Sequence, residues 1–406
     1  MASSTRKLTI GVIGCGHWGP NHIRVFSELE RTQVTACCDL SQARLDRISQ
    51  RFPGIDTSTD YKTILDDDRI AAVVVATPTA THAAIVADAL RAGKNVLVEK
   101  PLCLTGQEGE MLTALAEKVG RVLMVGHVFL FNAGIVRLRR FIQNGDLGSV
   151  QYLDAVRTNL GPVRGDVNAL YDLATHDISI FNYLLDAQPI GVSALGGCIS
   201  QERIEDVCFA TIQYPDGTLA HIHVSWLNPR KVRTLTVVGS KKMAHWDDID
   251  PQDTLRVFDK GLEEPPYYDS FGEFQCLLRT ADVHMPAIQR SEPLMTQAEA
   301  FADWVLDGKS CRATARDGLA IVRTLEAAME SLANGGAMTP VTADSPTTLV
   351  RNASANAAAV LPRRRPPPSD KAVASALASP PDDQPTDLQS VSMVSREDAR
   401  KKGSVL

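Results

Sequence analysis

Three side chains in this sequence have the types and spacing to move a proton. Lys100 stands between an apolar run at 95–98 and Pro101, and Asp172 and His176 lie four apart in a segment with helical spacing. A residue before proline is held extended, so Lys100 continues its strand outward instead of turning into a helix. Its ammonium can polarise a hydroxyl or share a proton with it, and its pKa falls readily on desolvation. Asp172 and His176, at i and i+4, share one face of a helix. A carboxylate beside an imidazole fixes its tautomer and raises its basicity, which suits a general base near neutral pH. The plainer alternatives are an exposed strand-end lysine and a structural Asp–His hydrogen bond. Asp177, one position further, faces elsewhere, and capping or packing is its simpler role.

A second set of residues is suited to holding a phosphate. The apolar run 8–13 ends in Gly14-Cys15-Gly16-His17-Trp18-Gly19, and Pro20 opens a segment whose Ile23, Phe26 and Leu29 follow a helical period. In such a strand–turn–helix, Gly14 takes the tight turn, Gly16 lets backbone approach a pyrophosphate, and Gly19 lets the helix pack on the strand. Proline suits a first helical turn, and the unpaired N–H groups there favour an anion. A further strand at 33–38 ends at Asp39, about 20 residues beyond Gly19, where a dinucleotide site needs a carboxylate for the adenosine ribose hydroxyls. Asp39 would repel a 2′-phosphate and no arginine directly follows it, so the cofactor expected is NAD and not NADP.

These residues need a scaffold, and the periodicity supplies one. Strands expected at 8–13, 33–38, 70–76, 95–98 and 122–126 alternate with helices beginning near Pro20, Ser41, Thr81 and Gln107. This alternation means a doubly wound parallel sheet. Ligands of such a sheet bind beyond the carboxyl ends of its strands, where Asp39, Thr77-Pro78 and Glu99-Lys100-Pro101 emerge, with His82 on the same side. Past 145–148 the rhythm changes to longer, alternating strands. Cys208, Ala210, Ile212 and Tyr214 fall on one face, as do Ala220, Ile222, Val224 and Trp226, and Pro215-Asp216-Gly217 turns between them as in an antiparallel hairpin. Helices are expected at 170–185, 295–306 and 317–332. The chain therefore reads as α/β: an N-terminal Rossmann domain, 1–127, and a C-terminal α+β domain, 128–343, with a mostly antiparallel open sheet. From 344 to 406 no apolar period remains, and a disordered tail is expected.

Composition narrows the function classes. A chain of 406 residues is comfortable for two domains. Its net charge of -6 gives no hint of a nucleic-acid partner. The longest uninterrupted apolar run, 70–76, falls far short of the ~20 residues needed to span a membrane. The eight cysteines include no C-x-x-C pair, so a reduced, cytoplasmic protein is expected. His221 and His223 share a strand face but lack an evident third ligand, and no metal is expected. Arg230, Lys231, Arg233, Lys241 and Lys242 form a basic group that either meets phosphate or is a solvated face.

Over about residues 8–341 the sequence resembles the Gfo/Idh/MocA oxidoreductase family, through G-C-G-H-W-G at 14–19, Glu99-Lys100-Pro101 and D-L-A-T-H-D at 172–177. The resemblance implies a nicotinamide cofactor on the first domain and a sugar-like substrate on the sheet of the second. It makes Lys100 and His176 the catalytic pair, with Asp172 supporting the substrate or the histidine. The cofactor contacts expected are Gly14, Gly16, His17, Trp18, Gly19, Asp39, Thr77, Pro78, His82, Glu99 and Lys100. Members often carry glycine where Ala174 stands, and a glycine-rich stretch before the aspartate that this chain lacks. G-H-W-G-P-N at 16–21, S-W-L-N-P-R-K at 225–231 and V-G-S-K-K-M at 238–243 are similar to the UDP-N-acetylglucosamine 3-dehydrogenase-like branch. The activity implied is hydride transfer between a secondary hydroxyl or ketone of a sugar, a nucleotide sugar above all, and NAD, in a homo-oligomer formed through the C-terminal sheet. The alternative is a cofactor-binding regulator of the same fold without turnover.

Overall fold

In this computed structural model, residues 7–252, 254–263, 277–289 and 291–341 are described. The tail expected at 344–406 lies outside them. Six short strands build the first sheet: β1 (Leu8–Ile13), β2 (Thr32–Cys38), β3 (Asp56–Ser58), β4 (Ala72–Val75), β5 (Asn95–Glu99) and β6 (Leu123–Gly126). Between them run α1 (Gly19–Glu28), α2 (Gln42–Arg51), α3 (Lys62–Leu65), α4 (His82–Arg91) and α5 (Gly106–Val119). The strands pair in parallel in the order β3-β2-β1-β4-β5-β6. The order reverses between β1 and β4, and such a switch point opens a crevice for a ligand.

Strand β4 shows why the sequence reads as a continuous apolar run. All four of its residues are buried, Val73 and Val75 in one core cluster and Ala72 and Val74 in the other, on opposite faces of the sheet. Helix α5 begins where Thr105 and Glu108 form a reciprocal capping box and stops at Gly120 in the left-handed region.

The rest of the described chain forms α6 (Ala133–Gln143), β7 (Val150–Leu160), α7 (Thr175–Leu185), β8 (Gly191–Gly197), β9 (Val207–Gln213), β10 (Leu219–Ser225), β11 (Leu227–Gly239), β12 (Met243–Asp247), β13 (Leu255–Glu263), β14 (Leu277–His284), α8 (Pro293–Asp307), α9 (Ala315–Ala333) and β15 (Thr339–Pro340). Nine strands make one sheet in the order β14-β13-β12-β11-β7-β10-β9-β8-β15. Every pair is antiparallel except β10 with β7. The expected β9–β10 hairpin is present, with Ala210 opposite Ile222 on the buried face. Helices α7 and α9 cover that face, and Phe181, Leu184, Ile321 and Leu325 join its core. On the opposite face Tyr152, Leu195, Phe209 and Leu219 remain exposed.

Two features depart from the sequence reading. The segment expected as one helix at 170–185 opens with a π-helical turn, Leu170–Ala174, before α7. Helix α8 packs back onto the first sheet: Leu294, Ala298, Phe301 and Ala302 are buried with Ile23 and Phe26 of α1, and the Phe26 and Phe301 rings lie 6.1 Å apart. Helix α8, which follows the second sheet in sequence, thus completes the core of the first. No helix among the described residues is long and apolar enough to cross a membrane.

Candidate active site

The glycine loop between β1 and α1 is shaped by close approaches. Gly14 has φ +97°, and a Cβ there would sit 2.5 Å from the Ala76 carbonyl oxygen; one at Gly19 would collide with the Gly14 carbonyl. A Cβ at Gly16 would meet nothing within 4 Å. The N–H of Cys15 donates to Asp39 Oδ2 at 2.8 Å, whereas those of Gly16, His17 and Trp18 find no acceptor among the described residues. Open space, free N–H groups and a helix N-terminus together fit the pyrophosphate of a dinucleotide. His17 and Trp18 are exposed beside this cradle, and Thr77 and Pro78 follow the end of β4.

Asp39 lies where the ribose carboxylate was expected, and its Oδ1 accepts the Ser41 N–H at 2.9 Å. Arg44, on α2, brings its guanidinium within 3.3 Å of Asp39 Oδ2. The sequence reading considered only the residue after Asp39 and so missed this cation, which the first turn of the helix carries back to the carboxylate.

Beyond β5, Lys100 Nζ donates to the Asp172 main-chain oxygen at 2.8 Å and lies 3.4 Å from Asp172 Oδ1. Asp172 also accepts from Arg164 at 3.0 Å and from the Trp226 indole at 3.2 Å. Burial pulls the Lys100 pKa below its ordinary value, against the opposing charges of Asp172 and Glu99, and Arg164 pulls in the same direction as burial. Arg164 was not anticipated; it comes from the irregular segment after β7, which has no period to read.

His176 is half-buried, edge-on to the Phe129 ring at 4.9 Å, and its Nδ1 has no hydrogen-bond partner. The expected Asp172–His176 hydrogen bond is absent among the described residues. Two cations and an indole N–H claim the carboxylate, and charge-assisted bonds outcompete one to a neutral imidazole. Instead of being raised by Asp172, the His176 pKa is held well below its ordinary value, by burial first and then by the charges of Lys100, Arg157 and Arg233. Asp177 faces away as expected: it forms a buried two-pronged ion pair with Arg157, which lies over the Phe129 ring at 4.5 Å.

Two expected cofactor contacts turn inward. His82 is fully buried, with Nδ1 2.9 Å from the Pro101 carbonyl and Nε2 2.9 Å from that of Thr77, so it braces two strand ends and offers nothing to a ligand. Glu99 is buried against His22 of α1, with Oε1 2.7 Å from Nε2. A further histidine was missed. His127, directly after β6, is fully buried with both ring nitrogens unpartnered, and burial together with the Lys100 charge pushes its pKa down to about 3. Its position at a strand's carboxyl end was a usable signal. His221 and His223 lie on the exposed side of β10, where His223 stacks on Phe209. Arg233 pairs with Asp248 at 3.2 Å, and Arg230 and Lys231 are exposed.

Comparison with known proteins identifies the family of both parts of the chain. Residues 8–127 match the model of an oxidoreductase family with an NAD-binding Rossmann fold, and residues 135–245 match the Gfo/Idh/MocA C-terminal domain. Among similar proteins, the UDP-N-acetylglucosamine 3-dehydrogenase of Acidithiobacillus ferrooxidans is 26% identical over 264 residues, covering 63% of this chain and 78% of that one. An NADP(+) scyllo-inositol 2-dehydrogenase of Bacillus subtilis is 25% identical, covering 80% and 93%. The crystal structure of GenD2, from gentamicin A biosynthesis, in complex with NAD superposes with a TM-score of 0.71 at 27% identity, over 84% of this chain and 97% of that one. With both sheets matched and the cradle intact, the chain belongs to the Gfo/Idh/MocA family of oxidoreductases.

Proposed function

We propose that this protein is an NAD-dependent dehydrogenase that oxidises a secondary hydroxyl of a sugar, specifically a nucleotide sugar. The observation that carries the reading is the convergence of Lys100, Asp172 and His176 beyond the carboxyl end of β5, in the same crevice rim as the open glycine loop. Bound NAD would supply the hydride acceptor. Neutral His176 takes the hydroxyl proton, and its low proton affinity rises when the substrate oxygen develops negative charge beside it. Lys100, anchored on Asp172, steadies the charge that grows on the oxygen. Asp172 acts through that lysine, with its own charge balanced by Arg164. Reduction of a ketone uses the same groups in reverse.

The cofactor side comprises Gly14, Gly16, His17, Trp18, Gly19, Asp39, Thr77 and Pro78 in a domain spanning 1–127; the sugar meets the domain spanning 128–343. The nucleotide-sugar assignment is supported by the similarity to the Acidithiobacillus enzyme and by the three sequence stretches at 16–21, 225–231 and 238–243. NAD is favoured by Asp39, which accepts hydrogen bonds where a 2′-phosphate would bring like charge. The reading includes a cytoplasmic homo-oligomer that buries Tyr152, Leu195, Phe209 and Leu219 on the outer face of the nine-stranded sheet.

The test is absorbance at the reduced-nicotinamide band with UDP-N-acetylglucosamine and NAD or NADP, alongside mass spectrometry of small molecules that co-purify. Faster reduction of NAD with the nucleotide sugar supports the proposal. Turnover of free inositol alone would overturn the substrate class, and bound NAD without turnover of either would leave a regulator.

A further inference from the structure

Glu99 directly precedes the lysine on which the proposed function rests, yet its carboxylate is buried against His22 of α1. Oε1 lies 2.7 Å from His22 Nε2, and Oε2 accepts the main-chain N–H of Lys100 at 3.2 Å. Gly126, paired with Glu99 across β5 and β6, leaves the room for it: a Cβ there would come within 3.2 Å of Oε2. His22 is itself buried, on the helix that opens at the glycine loop, with its ring stacked on Phe26 at 6.3 Å. The nitrogen that faces a carboxylate carries the hydrogen, so Nε2–H donates to Glu99.

A carboxylate taken out of water stays ionised only where donors compensate its lost hydration. We propose that His22 is a positioning residue for Lys100: by donating to Glu99 it keeps an anion beside the lysine and fixes the strand end from which the lysine projects. This rests on the reading of Lys100 as the group that steadies the reacting oxygen. The balance of charges agrees. Burial alone would raise the Glu99 pKa, and the His22 hydrogen bond with the nearby Lys100 outweighs it, so the carboxyl is held below its ordinary value. The groups facing Lys100 are Glu99 from β5, Asp172 from the π-helical turn, His176 from α7, Arg164 from the segment after β7 and His127 after β6. Only Glu99 and Asp172 favour its charged form, so discharging Glu99 removes one of two anions.

The direct readout is the titration of Lys100 itself, by competitive acetylation with acetic anhydride across pH and peptide mass spectrometry, which needs no substrate. In His22→Phe the Lys100 midpoint should fall by about one pH unit, the scale of a nearby charge. His22→Gln, which keeps an N–H donor, should restore the parent midpoint to within a few tenths. Glu99→Gln should reproduce the His22→Phe shift and decides the matter if His22→Phe does not fold. An unchanged midpoint in Glu99→Gln, or a His22→Gln midpoint displaced as far as that of His22→Phe, overturns the proposal. If the midpoints move as expected while Lys100→Ala turns over UDP-N-acetylglucosamine at the parent rate, the catalytic reading of Lys100 fails and the link from His22 stands.

Discussion

Replacing His127 with phenylalanine should make the protein less sensitive to acid. In the fold His127 is fully buried, both ring nitrogens lack partners, and its pKa lies at about 3 instead of the 6.5 of a solvated imidazole. Below pH 6.5 the unfolded chain therefore takes up a proton that the folded chain refuses. The stability that this histidine confers is fully present above pH 6.5 and is lost as the pH falls toward 3. At about 1.36 kcal/mol per pH unit, the cost between pH 7 and pH 5 comes to roughly 2 kcal/mol for His127 alone. His176, whose pKa is also held well below its ordinary value, adds a loss in the same window. Urea unfolding followed by tryptophan fluorescence at the two pH values measures the difference. The parent should lose about 2 kcal/mol more than His127→Phe. Equal losses would show that His127 is protonated or water-bonded in the fold and would refute the assignment of a neutral, dry imidazole beside Lys100.

Other substitutions test the remaining parts of the site. His176→Ala and Lys100→Ala should each lower turnover by about 10²–10⁴, with NAD affinity little changed for His176→Ala, and the double variant should fall little further because both act on one proton transfer; parent rates in both would sink the catalytic pair. Asp39→Ala should cost about 1.5–3 kcal/mol of NAD binding by calorimetry, the range for hydrogen bonds to a charged group. Arg44→Ala should weaken NADP more than NAD, since a 2′-phosphate would take the guanidinium now 3.3 Å from Asp39; equal losses would show that Arg44 takes no part in cofactor choice. Asp177→Ala should destabilise by about 3–5 kcal/mol by leaving Arg157 buried without its counter-charge. A loss below about 1 kcal/mol would mean that Arg157 finds solvent.

The first sheet was legible because its physics is local. A continuous apolar run such as that around β4, punctuated by glycine and proline, declares a strand covered on both faces, and the glycine loop declares its turn. The second sheet was legible only where alternation was strict, as in β9 and β10. The strands β8, β12 and β14 were not foreseen, since Gly191–Gly197 carries three glycines and Met243–Asp247 is only five residues long. Lys100, Asp172 and His176 were singled out as candidates from their spacing and the family resemblance, but their partners in the fold were not. Helix spacing alone suggests a hydrogen bond between residues 172 and 176, which the fold does not make, whereas Arg164 and Trp226 reach Asp172 through tertiary folding. Burial was the other hidden quantity. The sequence places His82 and Glu99 at the correct end of the sheet and cannot tell that their side chains turn inward.

The return of α8 onto α1 has a consequence for how this chain can be cut and recombined. A fragment ending at residue 127 would keep all six strands of the first sheet but uncover Ile23 and Phe26, which Leu294, Ala298, Phe301 and Ala302 now shelter. The 166 residues between Gly126 and Pro293 separate the last strand of the first sheet from the helix that completes the packing of α1, so the cofactor module is contiguous in space and interrupted in the gene. Exchanging cofactor modules between relatives would require carrying two segments together, the first sheet and this distant strap. An insertion between them, by contrast, leaves the strap's contacts intact so long as the second sheet still delivers it to the same groove. Diversification of the substrate side is thereby freed from the packing of the cofactor side, while loss of the second sheet is not.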